Sequence, residues 1–169
     1  MVKLLNMSKT IDTFNVNIIE KLPKIVKLEW DYENGTIAGD YRLCDFVSLY
    51  DRFMESMNVY TNYSPLYNAK ACVYNSIKTL KNKKTYGYTI GSDILGFITI
   101  NPRKFDNSLF IEEIFVKENC RNVGIGSTLL DFVDYLALKK FNYKNVQLSV
   151  HESNNRAKKL YIKKGFNFK

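Results

Sequence analysis

Histidine is almost missing from this chain: His151 alone stands among 169 residues, beside three cysteines, three prolines and one tryptophan. So few soft ligands exclude a locally encoded zinc site, because Cys44, Cys72 and Cys120 lie far apart with no C-x-x-C spacing. The same spacing encodes no complete disulfide framework, so reduced thiols and no bound metal are expected. Pro23, Pro65 and Pro102 are too sparse to mark a linker, and no repeat or low-complexity tract is present. One domain over residues 1–169 follows, long enough to bury about two thirds of its unfolded surface. Long apolar runs are lacking too. None approaches the roughly 18 residues of a membrane span, and Leu4-Leu5 is too short for a signal-peptide core. A cytoplasmic chain without a membrane partner is expected.

What is present is ordinary for a globular protein: 46% hydrophobic and 25% charged residues, with 25 basic against 17 acidic side chains and a net charge of +8. That surplus steers an anionic partner toward the surface, with solubility alone as the plainer explanation. Residues 12–41 mix β-formers in partial alternation (Phe14, Val16, Ile18; Ile25, Val26, Leu28, Trp30) around the turn signal Glu33-Asn34-Gly35, and predict a β-rich N-terminal section. Helical spacing of Leu43, Phe46, Val47, Tyr50, Phe53, Met54 and Met57 predicts a helix over residues 40–58. A second follows Ser64-Pro65 to about Lys81, with Ala69, Val73, Ile77 and Leu80 inward. Residues 86–90, 94–100 and 108–116 read as three antiparallel strands. A helix over 124–141, a strand over 146–150 and a helix over 153–164 complete an α/β domain with a mixed sheet.

One junction carries most of the chemistry. The apolar strand ending at Val116 leads through a polar loop into Arg121-Asn122-Val123-Gly124-Ile125-Gly126-Ser127 and a long helix. Lacking Cβ atoms, Gly124 and Gly126 let a ligand approach the backbone, and the first-turn amides face outward at the positive end of the helix dipole. Such a turn suits a diphosphate. A Gly-x-Gly pair also occurs for simple turn geometry, so the signal is weak by itself. About thirty residues on stands a second pattern, Asn154-x-x-Ala157-x-x-Leu160-Tyr161-x-x-x-Gly165-Phe166.

Together the two segments resemble the GNAT superfamily of N-acetyltransferases, the first its R/Q-x-x-G-x-G/A acetyl-CoA signature and the second its N-x-x-A-x-x-L-Y-x-x-x-G-F pattern. The resemblance covers about residues 85–168 and implies a mixed, mostly antiparallel sheet flanked by helices. It implies acetyl transfer from acetyl-CoA directly to a primary amine. The backbone of Ile114, Phe115 and Val116 would pair with the pantetheine arm, and the amides from Asn122 to Ser127, after Arg121, would hold the diphosphate. Asn154 would contact the arm, and Tyr161 would protonate the departing thiolate. Read without the resemblance, Tyr161 is a core aromatic and Asn154 a helix N-cap.

An attacking amine must be neutral, yet its pKa near 10 keeps it protonated at pH 7. Glu112 and Glu113 are the candidate bases, on opposite faces if the strand alternates, with Glu112 preferred because it would share a face with Ile114 and Val116. Both also read as solvent-facing or salt-bridged carboxylates. His151 reads as a surface loop residue, and the basic run Arg156, Lys158, Lys159, Lys163, Lys164 as a solvated helix face. The positive charge disfavours polycationic acceptors and leaves a protein amine, a small neutral or acidic amine, or an aminoacyl-tRNA. The alternative function is a non-catalytic acyl-CoA-binding or RNA-binding regulatory module on the same fold. After Phe166 only three residues follow, whereas the resemblance implies a further strand pair. Residues 12–41, or a second copy in a homodimer, are expected to cover that sheet edge.

Overall fold

The fold was analysed in a computed structural model, which describes residues 3–31, 33, 36–37, 41–61 and 69–169, with only the backbone of 58–61, 69–71 and 82. In chain order the elements are β1 (Leu4–Thr10), α1 (Ile18–Lys21), β2 (Ile25–Lys27), β3 (Trp30–Asp31), β4 (Thr36–Ile37), β5 (Tyr41–Arg42), α2 (Leu43–Thr61) and α3 (Ala69–Asn82). Then come β6 (Lys84–Ile90), β7 (Asp93–Arg103), β8 (Ser108–Val116), α4 (Ile125–Leu136) with a π-helical turn over Ala137–Phe141, β9 (Asn145–His151), α5 (Asn155–Lys163) and β10 (Asn167–Phe168). The main sheet runs β10-β1-β9-β8-β7-β6-β2, antiparallel throughout except for the β8–β9 pair. The mixed, mostly antiparallel sheet flanked by helices is therefore present.

Alternation along β7 divides the interior. Ile98 and Ile100 join a cluster with Leu129 and Val133 of α4, whereas Phe97 joins one with Phe46, Leu49, Tyr50 and Phe53 of α2. In the second cluster Phe97 meets Phe46 edge-on at 5.3 Å and Phe53 at 5.5 Å, while Phe53 meets Phe115 at 5.9 Å. Edge-to-face pairs of this kind each add about 1 kcal/mol beyond the area they bury. They fix α2 over the C-terminal half of β8.

Three sequence expectations change. The sheet edge beyond β9 is covered by β1, whose seven residues all pair with β9, and not by residues 12–41 or a second copy. β10 then adds two pairs on the outer side of β1, Met7 to Phe168 and Ser8 to Asn167. In the section from 12 to 41, Phe14, Val16 and Ile18 form no strand. The Asn15 side chain accepts from the Asn17 amide at 3.1 Å, turning the chain into α1 and leaving Val16 71% exposed. Trp30 and Asp31 pair with Ile37 and Thr36 across the expected hairpin, but Asn34 and Gly35 lie outside the described residues. Along α3 the buried face is Cys72, Ser76, Thr79 and Leu80, while Val73 is exposed. Small hydroxyl residues can face inward because the helix satisfies them: Ser76 donates to the Cys72 carbonyl at 2.7 Å. The Ser64-Pro65 start and the Ala69 side chain lie outside the described residues.

β1 is fastened by a buried charge. Lys9 follows Met7 on the inward face, and its Nζ donates to Asp134 Oδ2 of α4 at 2.9 Å and to the Lys164 carbonyl at 3.0 Å. It also lies 4.7 Å from the centre of the Phe166 ring. Burial pushes the Asp134 carboxyl above its usual range, opposed by the Lys9 cation. Removing one partner of such a pair leaves an uncompensated charge inside. We predict that Asp134→Ala lowers stability by about 3 kcal/mol, and that Lys9→Met with Asp134→Leu recovers most of it. Thermal unfolding of the three chains checks this.

Candidate active site

β8 and β9 pair only from Ser108–Asn145 to Ile111–Leu148. Beyond that register they part. The cause is visible in the β7–β8 ladder, where Thr99 faces Glu113 and Ile100 faces Ile111, so that Glu112 is one extra residue. Such a bulge bends its strand and resets the alternation. Before it, Leu109 and Ile111 face the α4 cluster; after it, Ile114 and Val116 do, and Phe115 faces α2. The premise that Glu112 shares a strand face with Ile114 and Val116 therefore fails.

The parted strands open a cavity of about 450 Å³. Ile114, Phe115 and Val116 form its strand side, where β8 keeps a backbone edge that β9 does not pair. At its end stands the N-terminus of α4. Gly124 is the N-cap with φ 89°, after Asn122 with φ 67°, and no side chain among the described residues caps this helix. Ile125, Gly126 and Ser127 supply the first-turn amides, and all three line the cavity together with Arg121, Asn122 and Gly124. Val123 is the exception: its side chain is 74% exposed and outside the lining.

The two glycines have different purposes. A Cβ on Gly124 would meet nothing within 4 Å, so it is the positive φ of 89°, and not crowding, that favours glycine there. A Cβ on Gly126 would lie 3.3 Å from Leu160 Cδ2, so that glycine lets α4 pack closely on α5. Arg121 braces the loop: its Nε donates to the Val116 carbonyl at 2.9 Å, and its guanidinium lies 5.2 Å from the centre of the Phe115 ring.

The opposite wall is α5. Asn154 is its N-cap, Oδ1 accepting from the Ala157 amide at 3.2 Å, and it also lines the cavity. Tyr161 is buried edge-on against Phe166 at 5.9 Å and reaches the cavity as well. Phe53, Ser56 and Met57 of α2 complete the lining on another side. Sequence reasoning placed Phe53 and Met57 on one apolar face of the helix and passed over Ser56, because residue types at helical spacing do not tell a core from a cavity wall; Phe53 in fact serves both.

The acidic candidates lie outside the lining. Glu112 is held by Lys83 Nζ at 2.8 Å and by Asn101 Nδ2 at 3.2 Å. Glu113 is turned to α2, where the Tyr50 hydroxyl donates to its Oε2 at 2.5 Å, and Oε1 is buried with no hydrogen-bond partner among the described residues. Burial pushes the Glu113 carboxyl above its ordinary value, against the Tyr50 hydrogen bond and the Lys83 charge. The Tyr50 hydroxyl is driven up by burial and by that carboxylate. His151, at the end of β9 and outside the lining, is held below its usual pKa by burial. Among the described residues no cluster of His, Cys, Asp and Glu could hold a metal ion, and no helix is long and apolar enough to cross a membrane.

With this geometry in hand, the chain was compared with known proteins. The family model described as the acetyltransferase (GNAT) family matches residues 46–168. Among solved structures, a GNAT-family acetyltransferase from Novosphingobium aromaticivorans superposes with a TM-score of 0.58 at 18% identity over 98% of this chain, which spans 59% of that one. PaiA N-acetyltransferase from Thermoplasma acidophilum, in complex with coenzyme A, gives 0.61 at 17% identity, covering 85% of this chain and 89% of that one. Ribosomal-protein-alanine N-acetyltransferase from Brucella melitensis biovar Abortus gives 0.60 at 14% identity, covering 82% and 88%. At these identities the likeness is one of fold.

The packing role of Gly126 is directly testable. Gly126→Val should cost about 2 kcal/mol through overlap with Leu160, and Leu160→Ala in the same chain should return part of it. Denaturant unfolding of the single and double variants reads the coupling.

Proposed function

Because the chain belongs to the GNAT family of acetyltransferases, whose model spans residues 46–168, we propose that it moves an acetyl group from acetyl-CoA directly to a primary amine. In this reading residues 1–169 work as one N-acetyltransferase domain. The observation that carries the reading is the meeting, in one cleft, of a strand edge that β9 leaves, a helix N-terminus without a side-chain cap among the described residues, and a buried tyrosine. The backbone of Ile114 to Val116 pairs with the amide-bearing pantetheine arm as an added strand would. The amides of Gly124 to Ser127 receive the diphosphate at the positive end of α4, with Asn122 and Arg121 shaping the approach. Val123 contributes main chain only, since its side chain points to solvent.

Acetyl-CoA supplies an activated thioester, so the protein has to orient the amine, remove its proton and protonate the leaving thiolate. No covalent enzyme intermediate is needed. Tyr161, the phenol in the cleft wall, is assigned the last step. For proton removal the structure favours Glu113 over Glu112. Glu112 is committed to Lys83 and Asn101, whereas Glu113 holds a raised pKa and one oxygen without a partner among the described residues. Since Glu113 does not line the cleft, it acts through a water. Asn154 caps α5 and in doing so presents that helix to the arm.

The acceptor belongs to a wider set: a protein amine, a small neutral or acidic amine, or an aminoacyl-tRNA. The net charge of +8 opposes polycationic amines. The Brucella protein, which shares the fold, is described as acting on a ribosomal-protein alanine, which makes a protein N-terminus the first acceptor to try.

Calorimetric titration with acetyl-CoA tests the cleft: the wild type binds, and Gly124→Glu, which places a bulky anion in the open space at the α4 N-terminus, does not. An inert wild type would remove the reading. Tyr161→Phe should lower kcat about a hundredfold while leaving acetyl-CoA affinity unchanged. For Glu113 the sign is set by its raised pKa: the base must be ionised, so kcat/KM falls as pH drops through a value above the ordinary carboxylate range. Glu113→Gln should remove that acid limb from the pH profile.

A further inference from the structure

Beneath α2, three aromatic rings hold one phenol in place. Tyr50 is stacked on Phe97 of β7 at 5.7 Å and tilted against Phe46 at 5.7 Å and Phe53 at 5.3 Å, which leaves it 4% exposed. Phe53 also lines the cleft, so the packing that fixes the phenol fixes part of a cleft wall. A ring enclosed in this way cannot swing its hydroxyl out to water, and a buried hydroxyl needs a partner. The partner is Glu113, whose Oε2 accepts from the Tyr50 hydroxyl at 2.5 Å.

That hydrogen bond makes the two carboxyl oxygens unequal. Burial and the adjacent carboxylate keep the phenol protonated through the neutral range, so it donates and Oε2 accepts. A proton arriving at the carboxyl has to settle on Oε1, which has no hydrogen-bond partner among the described residues. Lys83 and Glu112 act on this carboxyl by charge, and Thr99 of β7 adjoins it without closing a hydrogen bond on Oε1. Thr79 and Cys72 of α3 adjoin the phenol. We propose, resting on the reading of Glu113 as the base, that Tyr50 is its positioning residue: the phenol engages Oε2 and so presents Oε1 to the water that carries the proton away from the amine. The amine gives its proton to that water, the water passes one to Oε1, and the neutral nitrogen attacks the thioester. Because the hydrogen bond is made to the ionised carboxylate, it also opposes burial and keeps the base ionised to a lower pH than burial alone would allow.

The test compares wild type, Tyr50→Phe and Tyr41→Phe. The last removes another buried phenol of the same cluster, one that donates to the Gly91 carbonyl. Titration of the Glu113 carboxyl by carbon-13 NMR, assigned with Glu113→Gln, needs no acceptor. Tyr50→Phe should move it up by about one pH unit, and Tyr41→Phe should leave it in place. An unmoved carboxyl in Tyr50→Phe, or an equal shift in Tyr41→Phe, overturns the proposal alone. The pH profile of acetyl transfer from acetyl-CoA to an alanine-starting peptide then reads the role: its acid limb should rise with the carboxyl, and Tyr50→Phe should cost nothing further once Glu113 is replaced by glutamine. A Tyr50→Phe loss that persists in the Glu113→Gln chain makes Tyr50 a packing residue and overturns the proposal. An acid limb that survives Glu113→Gln overturns Glu113 as the base, and the proposal with it. If the wild type acetylates no peptide, the carboxyl titration decides.

Discussion

The structure turns on one extra residue in a strand. Backbone amides and carbonyls need partners, and a continuous β8–β9 ladder would supply them all and leave no room for a ligand. Glu112, inserted opposite the Thr99–Ile100 step, bends β8 away from β9 after Ile111. From there the strand edge requires another partner, and the cleft that results is where the α4 N-terminus and the α5 wall converge. The same insertion turns Glu113 toward Tyr50 and Phe115 toward Phe53, so the acidic group and the aromatic packing under α2 have a common origin.

Parting two strands weakens a sheet unless its outer part is anchored elsewhere. β1 provides that anchor through seven pairs to β9 and through the buried Lys9–Asp134 ion pair, which joins the sheet to α4. The Lys164 carbonyl also accepts from Lys9, and Lys164 itself pairs with Asp131 of α4. Both walls of the cleft, α4 and α5, thus hang on contacts far from any reacting atom. Preorganisation of this kind holds catalytic groups in place before a substrate arrives.

Much of the site was readable because it is local. Arg121-x-x-Gly124-x-Gly126 describes a backbone turn, and the run from Asn154 to Phe166 describes a capped helix with one buried face; each needs only near neighbours in sequence. The meander of β6, β7 and β8 was readable from its β-formers. β1 was not, because Lys9 interrupts the apolar alternation of its buried face, and only Asp134, 125 positions away, makes that lysine tolerable inside. Val73 failed as a core residue for a related reason: Ser76 and Thr79 are buried in its stead, with Ser76 bonded to its own helix.

By itself the sequence determined the family, the mixed sheet with flanking helices, the glycine turn at the head of α4 and the tyrosine on α5, since each follows from short-range backbone geometry or from the spacing of a helix or strand. Tertiary structure alone decided that Glu112 is a bulge, that Glu113 lies beneath α2, that β1 closes the sheet, and which face of α5 lines the cleft. Those outcomes depend on distant partners, and neither the desolvation of a charge nor the phase of a strand is written in the residues beside it.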